Sequence, residues 1–224
     1  MRMPLTDEMA AAVAAGTKTE TRRLVTEKTL EQYHEISGAA PPWRDDEFMV
    51  AWTEFALCAD DLLDEAGCRH KRALWKLPRY RPGDVCAVAE ALVESEGGYT
   101  RYCRDDVAVS IMLDNGHRVA KWWEWDIKTL PARFMPAWAA RAWVEVTGVG
   151  VERVQEIDEA GAIAEGIECE PGVMWDGVSV AITMYEELWN VIHKKPGTTW
   201  EDNPPVWVVR FERTQKPLAA DERG

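Results

Sequence analysis

The stretch "GTKTETRRLV", residues 16–25, places one lysine, two arginines and three threonines in an otherwise acidic chain. An amine, several hydroxyls and two guanidinium groups this close together admit three readings: a solvated turn, an anion cradle, or one corner of an active site. A threonine hydroxyl is a poor nucleophile unless a base lies within hydrogen-bond reach. A lysine serves as that base when burial or cationic neighbours favour its neutral amine. Two further stretches carry usable chemistry. "FMPAWAAR", residues 134–141, offers Met135, Pro136, Trp138 and Arg141 as a rigid apolar wall with one cationic end. "CRHKRALWKLPRYRPGD", residues 68–84, interleaves six Lys or Arg with Trp75 and Tyr80. Such a mixture can hold a phosphate and stack a base, or simply pair with the acidic residues before it. The four histidines are isolated, so the sequence points to neither a His-based triad nor a metal cluster, and no cofactor is expected.

The elements around these residues follow from spacing and punctuation. Residues 5–15, "LTDEMAAAVAA", predict a helix with Thr6 as N-cap, acids in its first turn and Gly16 as its stop. The opening stretch therefore starts where that helix ends. A second helical pattern spans 45–66, capped by Asp45 or Asp46, with an acidic outer face. "VCAVAEALV" (85–93), "DVAVSIML" (106–113), "RAWVEVTGVGVERV" (141–154) and "VWVVRFER" (206–213) read as strands. Bends are expected at Gly148 and Gly150, and a turn at "DNG" (114–116). "DEAGAIAEG" (158–166) predicts a short helix from N-cap Asp158 to Gly166. "SVAITMYEELWNVI" (179–192) predicts an amphipathic helix with Ala181, Met184 or Tyr185, Leu188 and Ile192 on one face. "KWWEW" (121–125) reads as a hydrophobic edge. Strands of uneven spacing with short helices between them fit an α+β fold, a small and mainly antiparallel β-barrel with flanking helices.

Composition limits the partners. The chain has 224 residues, of which 46% are hydrophobic, with twelve tryptophans. That is enough for one large domain with a real core. A net charge of −13 repels a phosphate backbone at long range, so nucleic acid would need a local basic patch. A small uncharged ligand faces no such barrier. Five scattered cysteines without C-x-x-C spacing argue against a disulfide framework and a zinc site. The N-terminal residues lack an apolar leader-like run, and no stretch reaches membrane-spanning length, which predicts a cytoplasmic protein.

In order along the chain, "AAGTKTETRR", "YRPGDVCAVAE", "FMPAWAARAWVEVTGVGVERVQEI", "DEAGAIAEGI", "YEELWNVI" and "NPPVWVVRFE" resemble the ASCH superfamily of PUA-like barrels, in its longer phage-associated form. The resemblance covers residues 3–25 and 80–213. It implies a single domain over 1–213, a helical insertion at about 26–79, and a disordered tail over 214–224. Bacterial members that act as N4-acetylcytidine amidohydrolases use a lysine, a threonine three residues later in a G-x-K-T-x-T motif, and a glutamate in a later A-x-x-E helix. Carried onto this sequence, those positions are Lys18, Thr21 and Glu165. The expected substrate-binding residues are Arg22, Arg23, Glu90, Met135, Trp138 and Arg141, with Trp138 serving either to stack on a base or to pack in the core. Glu90 keeps the acid of the W-V-R-E pattern of relatives, but Ala87 and Ala89 stand where the tryptophan and arginine would be.

Amide hydrolysis needs an activated nucleophile, a proton carrier for the leaving amine and a group to hold the oxyanion. Threonine, lysine and glutamate can supply these roles, and a carboxyl at a helix C-terminus, where the dipole disfavours its charge, suits proton transfer. A straight strand through 17–23 would put Lys18 and Thr21 on opposite faces, so a turn is required between them. The expected activity is removal of the N4-acyl group from modified cytidine or a related nucleoside. Two alternatives remain: a reader of RNA or modified bases that binds through Arg69, Lys71 and Arg72, and a scaffold for protein contacts through the insertion.

Overall fold

The computed structural model describes residues 1–37, 78–113, 116–119 and 127–217. The helical pattern at 45–66, the cations Arg69, Lys71 and Arg72, "KWWEW", most of the "DNG" turn and the end of the tail lie outside the described residues. The strands in chain order begin with β1 (Arg2–Pro4), β2 (Glu20–Leu24), β3 (Val85–Ala89) and β4 (Leu92–Glu94). Next come β5 (Thr100–Tyr102), β6 (Ser110–Leu113), β7 (Gly116–Val119) and β8 (Thr129–Leu130). The last four are β9 (Trp143–Arg153), β10 (Met174–Trp175), β11 (Val178–Ser179) and β12 (Pro205–Thr214). The α-helices are α1 (Asp7–Ala15), α2 (Glu27–Ser37), α3 (Glu159–Ala164) and α4 (Val180–Ile192). Among the described residues, no helix is long and apolar enough to cross a membrane.

Two compact units alternate along the chain. The first takes Met1–Thr19, Gly83–Glu145 and the chain from Glu212 onward; the second takes Glu20–Pro82 and Val146–Phe211. In the first unit β1 pairs parallel with β3, and β3 pairs antiparallel with the start of β9. A separate three-stranded sheet runs β5-β4-β8. Its core packs Ala89, Leu92, Tyr102, Val109, Leu130 and Met135. In the second unit β12 pairs antiparallel with β2, from Val206↔Leu24 to Arg210↔Glu20. There Val154, Ile157, Ala162, Ala181, Tyr185 and Trp189 form the core.

Local signals explain much of this. Thr6 caps α1 by accepting the Met9 N–H at 3.3 Å, and Gly16 ends the helix at φ 82°, a conformation glycine adopts without steric cost. Asp158 caps α3 by accepting the Gly161 N–H at 2.7 Å.

Four expectations need correction. The sheets do not close into a barrel among the described residues, since the five-stranded order β1-β3-β9-β12-β2 ends on two different strands. The expected strand 85–93 breaks into β3 and β4, because the Glu90 N–H turns to the sulfur of Met135 (3.4 Å) instead of a neighbouring strand. The strand expected over 106–113 is confined to β6, with Asp106 at a positive φ of 55° before it. On α4 the buried residues are Ala181, Tyr185 and Trp189, whereas Met184 and Ile192 are exposed. An i, i+4, i+8 ridge faces the core there, and periodicity alone had not separated Tyr185 from Met184.

The fully buried Leu92 offers a direct check on the first core. Leu92→Ala should lower unfolding free energy by about 2–5 kcal/mol in urea titration, from lost transfer energy plus the cavity. A loss under about 1 kcal/mol would show that this position is not packed.

Candidate active site

Lys18 belongs to the first unit and is only 2% exposed, although lysine is among the residues least often buried. The reason begins with the end of α1. Thr17 and Lys18 both donate their backbone N–H groups to the Ala12 carbonyl, at 3.0 and 3.2 Å, which wraps the chain around the helix terminus. Strand β2 starts only at Glu20, so residues 17–19 are free of strand alternation. Lys18 lies before the strand and Thr21 within it, and both are buried.

Thr21, Arg22, Arg23 and Glu165 belong to the second unit. Glu165 follows the last residue of α3 as its C-cap, one position beyond the expected last turn, and is 3% exposed. One of its oxygens, Oε1, accepts the backbone N–H of Arg22 in a short hydrogen bond and lies 3.5 Å from Nη1 of the same residue. The glutamate is thus held as an acceptor by both parts of one arginine.

The arginine is itself held. Arg22 Nε donates to Glu152 Oε1 at 2.6 Å, and Nη1 lies 3.4 Å from Glu20 Oε2. Glu20 in turn accepts from Arg210 Nε at 2.8 Å. The Arg22 guanidinium also sits over the Tyr185 ring, 5.9 Å from its centroid. A Cβ on Gly161 would lie 2.8 Å from Arg22 Nη2, so only glycine fits beside this pinned cation.

Electrostatics follow the geometry. Burial opposes the charge on Arg22, but Glu152 and Glu165 outweigh it and raise its pKa above the usual arginine value. Burial raises Glu152 above the ordinary carboxylate value of 4.5 despite the arginine. Burial, then the nearby Glu165, pushes the Tyr185 phenol far above its usual range, so this hydroxyl stays neutral. Arg23 is partly buried on β2, in register with Trp207.

The first unit contains a second polar centre. Glu90, 2% exposed, accepts a two-pronged hydrogen bond from Arg141 Nε and Nη2, both at 2.7 Å. Arg141 Nη1 reaches Asp105 at 2.8 Å, and Arg104 approaches Glu90 at 3.7 Å and Asp105 at 3.2 Å. The Arg141 guanidinium stacks on Tyr102, 3.9 Å from the ring centroid. The Tyr102 hydroxyl donates to the Ala139 carbonyl, and burial raises its pKa to about 12. Met135 is fully buried against Glu90, and Trp138 packs partly buried on the same core. Burial, then Asp7, raises the pKa of the Cys103 thiol, which leaves it without an activated thiolate.

Spacing did not reveal Glu152, Glu20, Tyr185, Arg104 or Asp105 as partners. The one signal for Glu152 was a carboxylate among valines in "VGVERV".

Comparisons with known proteins add little. No protein-family model matches the chain, and no curated protein matches it. A solved ASCH domain from Lactobacillus crispatus JV V101 is similar at 10% identity over 92% of this chain and 69% of that one, with a TM-score of 0.33. That structure bears the superfamily name the motifs resemble, and a superposition this loose shows neither fold nor function for this chain.

Two outcomes test the site's electrostatics. Because the Glu152 pKa is raised on folding, its stabilising contribution is complete below about pH 4.5 and is lost as pH rises through the folded value. The urea midpoint of wild type should therefore fall relative to that of Glu152→Gln between pH 4 and 8; a constant gap would refute the shift. Arg141→Ala strands a buried carboxylate and should cost roughly 3 kcal/mol in the same assay, with Arg141→Lys recovering only part.

Proposed function

We propose that this protein is an ASCH-type amidohydrolase that removes the N4-acyl group from modified cytidine or a related nucleoside, through Lys18, Thr21 and Glu165. The observation that carries the reading is burial. The three residues nominated by the sequence motif all fall among the seven buried polar or charged residues of the described chain. Polar groups withdrawn from water are costly, and a lysine, a threonine and a glutamate so withdrawn match the parts amide hydrolysis needs.

In this reading the Thr21 hydroxyl adds to the acyl carbonyl while the Lys18 amine takes its proton. That proton passes to N4 as the C–N bond breaks, which releases cytidine and leaves a threonyl ester. Water then attacks the ester, Glu165 takes its proton and passes it to the departing Thr21 oxygen, and the carboxylic acid leaves. The Arg22 backbone N–H donates to Glu165 Oε1, and the Arg22 guanidinium lies 3.5 Å from the same oxygen. An uncharged substrate also suits a chain of net charge −13.

Incubation of N4-acetylcytidine with the pure protein should yield cytidine and acetate by chromatography. Lys18→Ala and Thr21→Ala should abolish turnover, and Glu165→Gln should reduce kcat by about a hundredfold or more. No product across a panel of N4-acylcytidines would end the proposal. Tight binding of these nucleosides without turnover would favour a reader instead.

A further inference from the structure

A small hairpin in the second unit has no part in the hydrolytic reading. Strands β10 and β11 pair antiparallel, Met174↔Ser179 and Trp175↔Val178. Asp176 and Gly177 form the turn with φ of 50° and 80°. Both angles are left-handed, as the tightest two-residue hairpins require, and Asp-Gly is a preferred sequence for them.

The hairpin's base is clamped to α3. Glu159 accepts the Gly172 N–H at 3.1 and 3.2 Å on its two oxygens, and accepts the Ser179 hydroxyl at 2.9 Å. The Val180 N–H donates to the Val173 carbonyl at 3.0 Å. Two hydrogen-bonded arms thus present the tip in one shape, with little ordering entropy left to lose on contact.

What the tip presents is apolar. Trp175 is 80% exposed, and Val173, Met174 and Val178 are exposed beside it. A tryptophan's large area left in water, with three further apolar side chains around it, is the composition of an interface anchor. The stretch of chain that contains it carries one sign of charge. From Val154 to His193 there are nine Asp or Glu and no Lys or Arg, and Glu168, Glu170 and Asp176 are exposed close to the tip in sequence. Carboxylates there repel a phosphate backbone, an anionic lipid surface and the same acidic hairpin of a second copy.

We propose that the β10–β11 hairpin is a protein-docking prong whose Trp175 packs on the apolar face of a partner helix flanked by Lys or Arg. This surface stands apart from the hydrolase reading, so either can fail without the other.

The probe is a short amphipathic helical peptide of leucine and lysine, titrated into the full-length protein by calorimetry. A serine–lysine peptide of equal charge serves as the control. Wild type should bind the leucine–lysine peptide, less tightly as salt rises. Trp175→Ser should weaken that binding by about tenfold or more with an unchanged melting temperature. Glu159→Ala, which keeps the indole and frees the base of the hairpin, should give a smaller loss. Binding of the serine–lysine peptide should not depend on Trp175. The proposal is overturned if wild type does not bind the leucine–lysine peptide, or if Trp175→Ser binds it equally well. It is also overturned if Trp175 instead governs binding to a single-stranded RNA oligonucleotide or self-association in sedimentation velocity.

Discussion

Arg22 is the cation on which the buried acids of the second unit depend. Its guanidinium reaches Glu152, Glu20 and Glu165, and its backbone N–H reaches Glu165 again. A carboxylate taken out of water is stable only when its lost hydrogen bonds are replaced. A guanidinium replaces several at once, because its donors point in fixed directions from one planar group. A lysine at this position would supply a point charge that could not serve three glutamates in the same geometry. The constraint reaches into the backbone as well: Gly161 must lack a side chain for the cation to sit where it does.

The first unit solves the same problem with another pair. Glu90 is buried at the point where β3 gives way to β4, and Arg141 answers both of its oxygens. Because the Glu90 N–H leaves the ladder for the Met135 sulfur, a sequence with the pattern of one strand becomes two short ones. Charge satisfaction and sheet topology are thus linked at one residue. A further consequence concerns ligand recognition. Arg22 and Arg141, both expected to hold a substrate, are engaged by glutamates of their own units, so each acts first on the protein's own acids.

Much of the local structure was legible from the chain. Thr6, Gly16 and Asp158 act through bonds spanning a few residues, and such bonds are written in adjacent letters. Lys18, Thr21 and Glu165 are all buried, a property that their residue types alone do not foretell. Less was legible on α4, where Tyr185 rather than Met184 faces the core. Both lie within a helical apolar stripe, and only the position of the packed neighbours chooses between them. The prong at Trp175 was missed for a related reason. Two-residue strands carry no periodic signal, and the exposure of an indole depends on what the rest of the chain leaves uncovered.

By itself the sequence determined where α1, α3 and α4 lie, which residues carry reactive groups, and that the chain is strongly acidic. These depend on short-range hydrogen bonding, on functional-group type and on summed charge. The tertiary structure decided which acid meets which cation, with Arg22 joined to Glu152 and Glu165 across 130 and 143 residues of chain. Such partnerships are long-range. Many carboxylates could satisfy a given guanidinium, and packing selects the ones that arrive beside it.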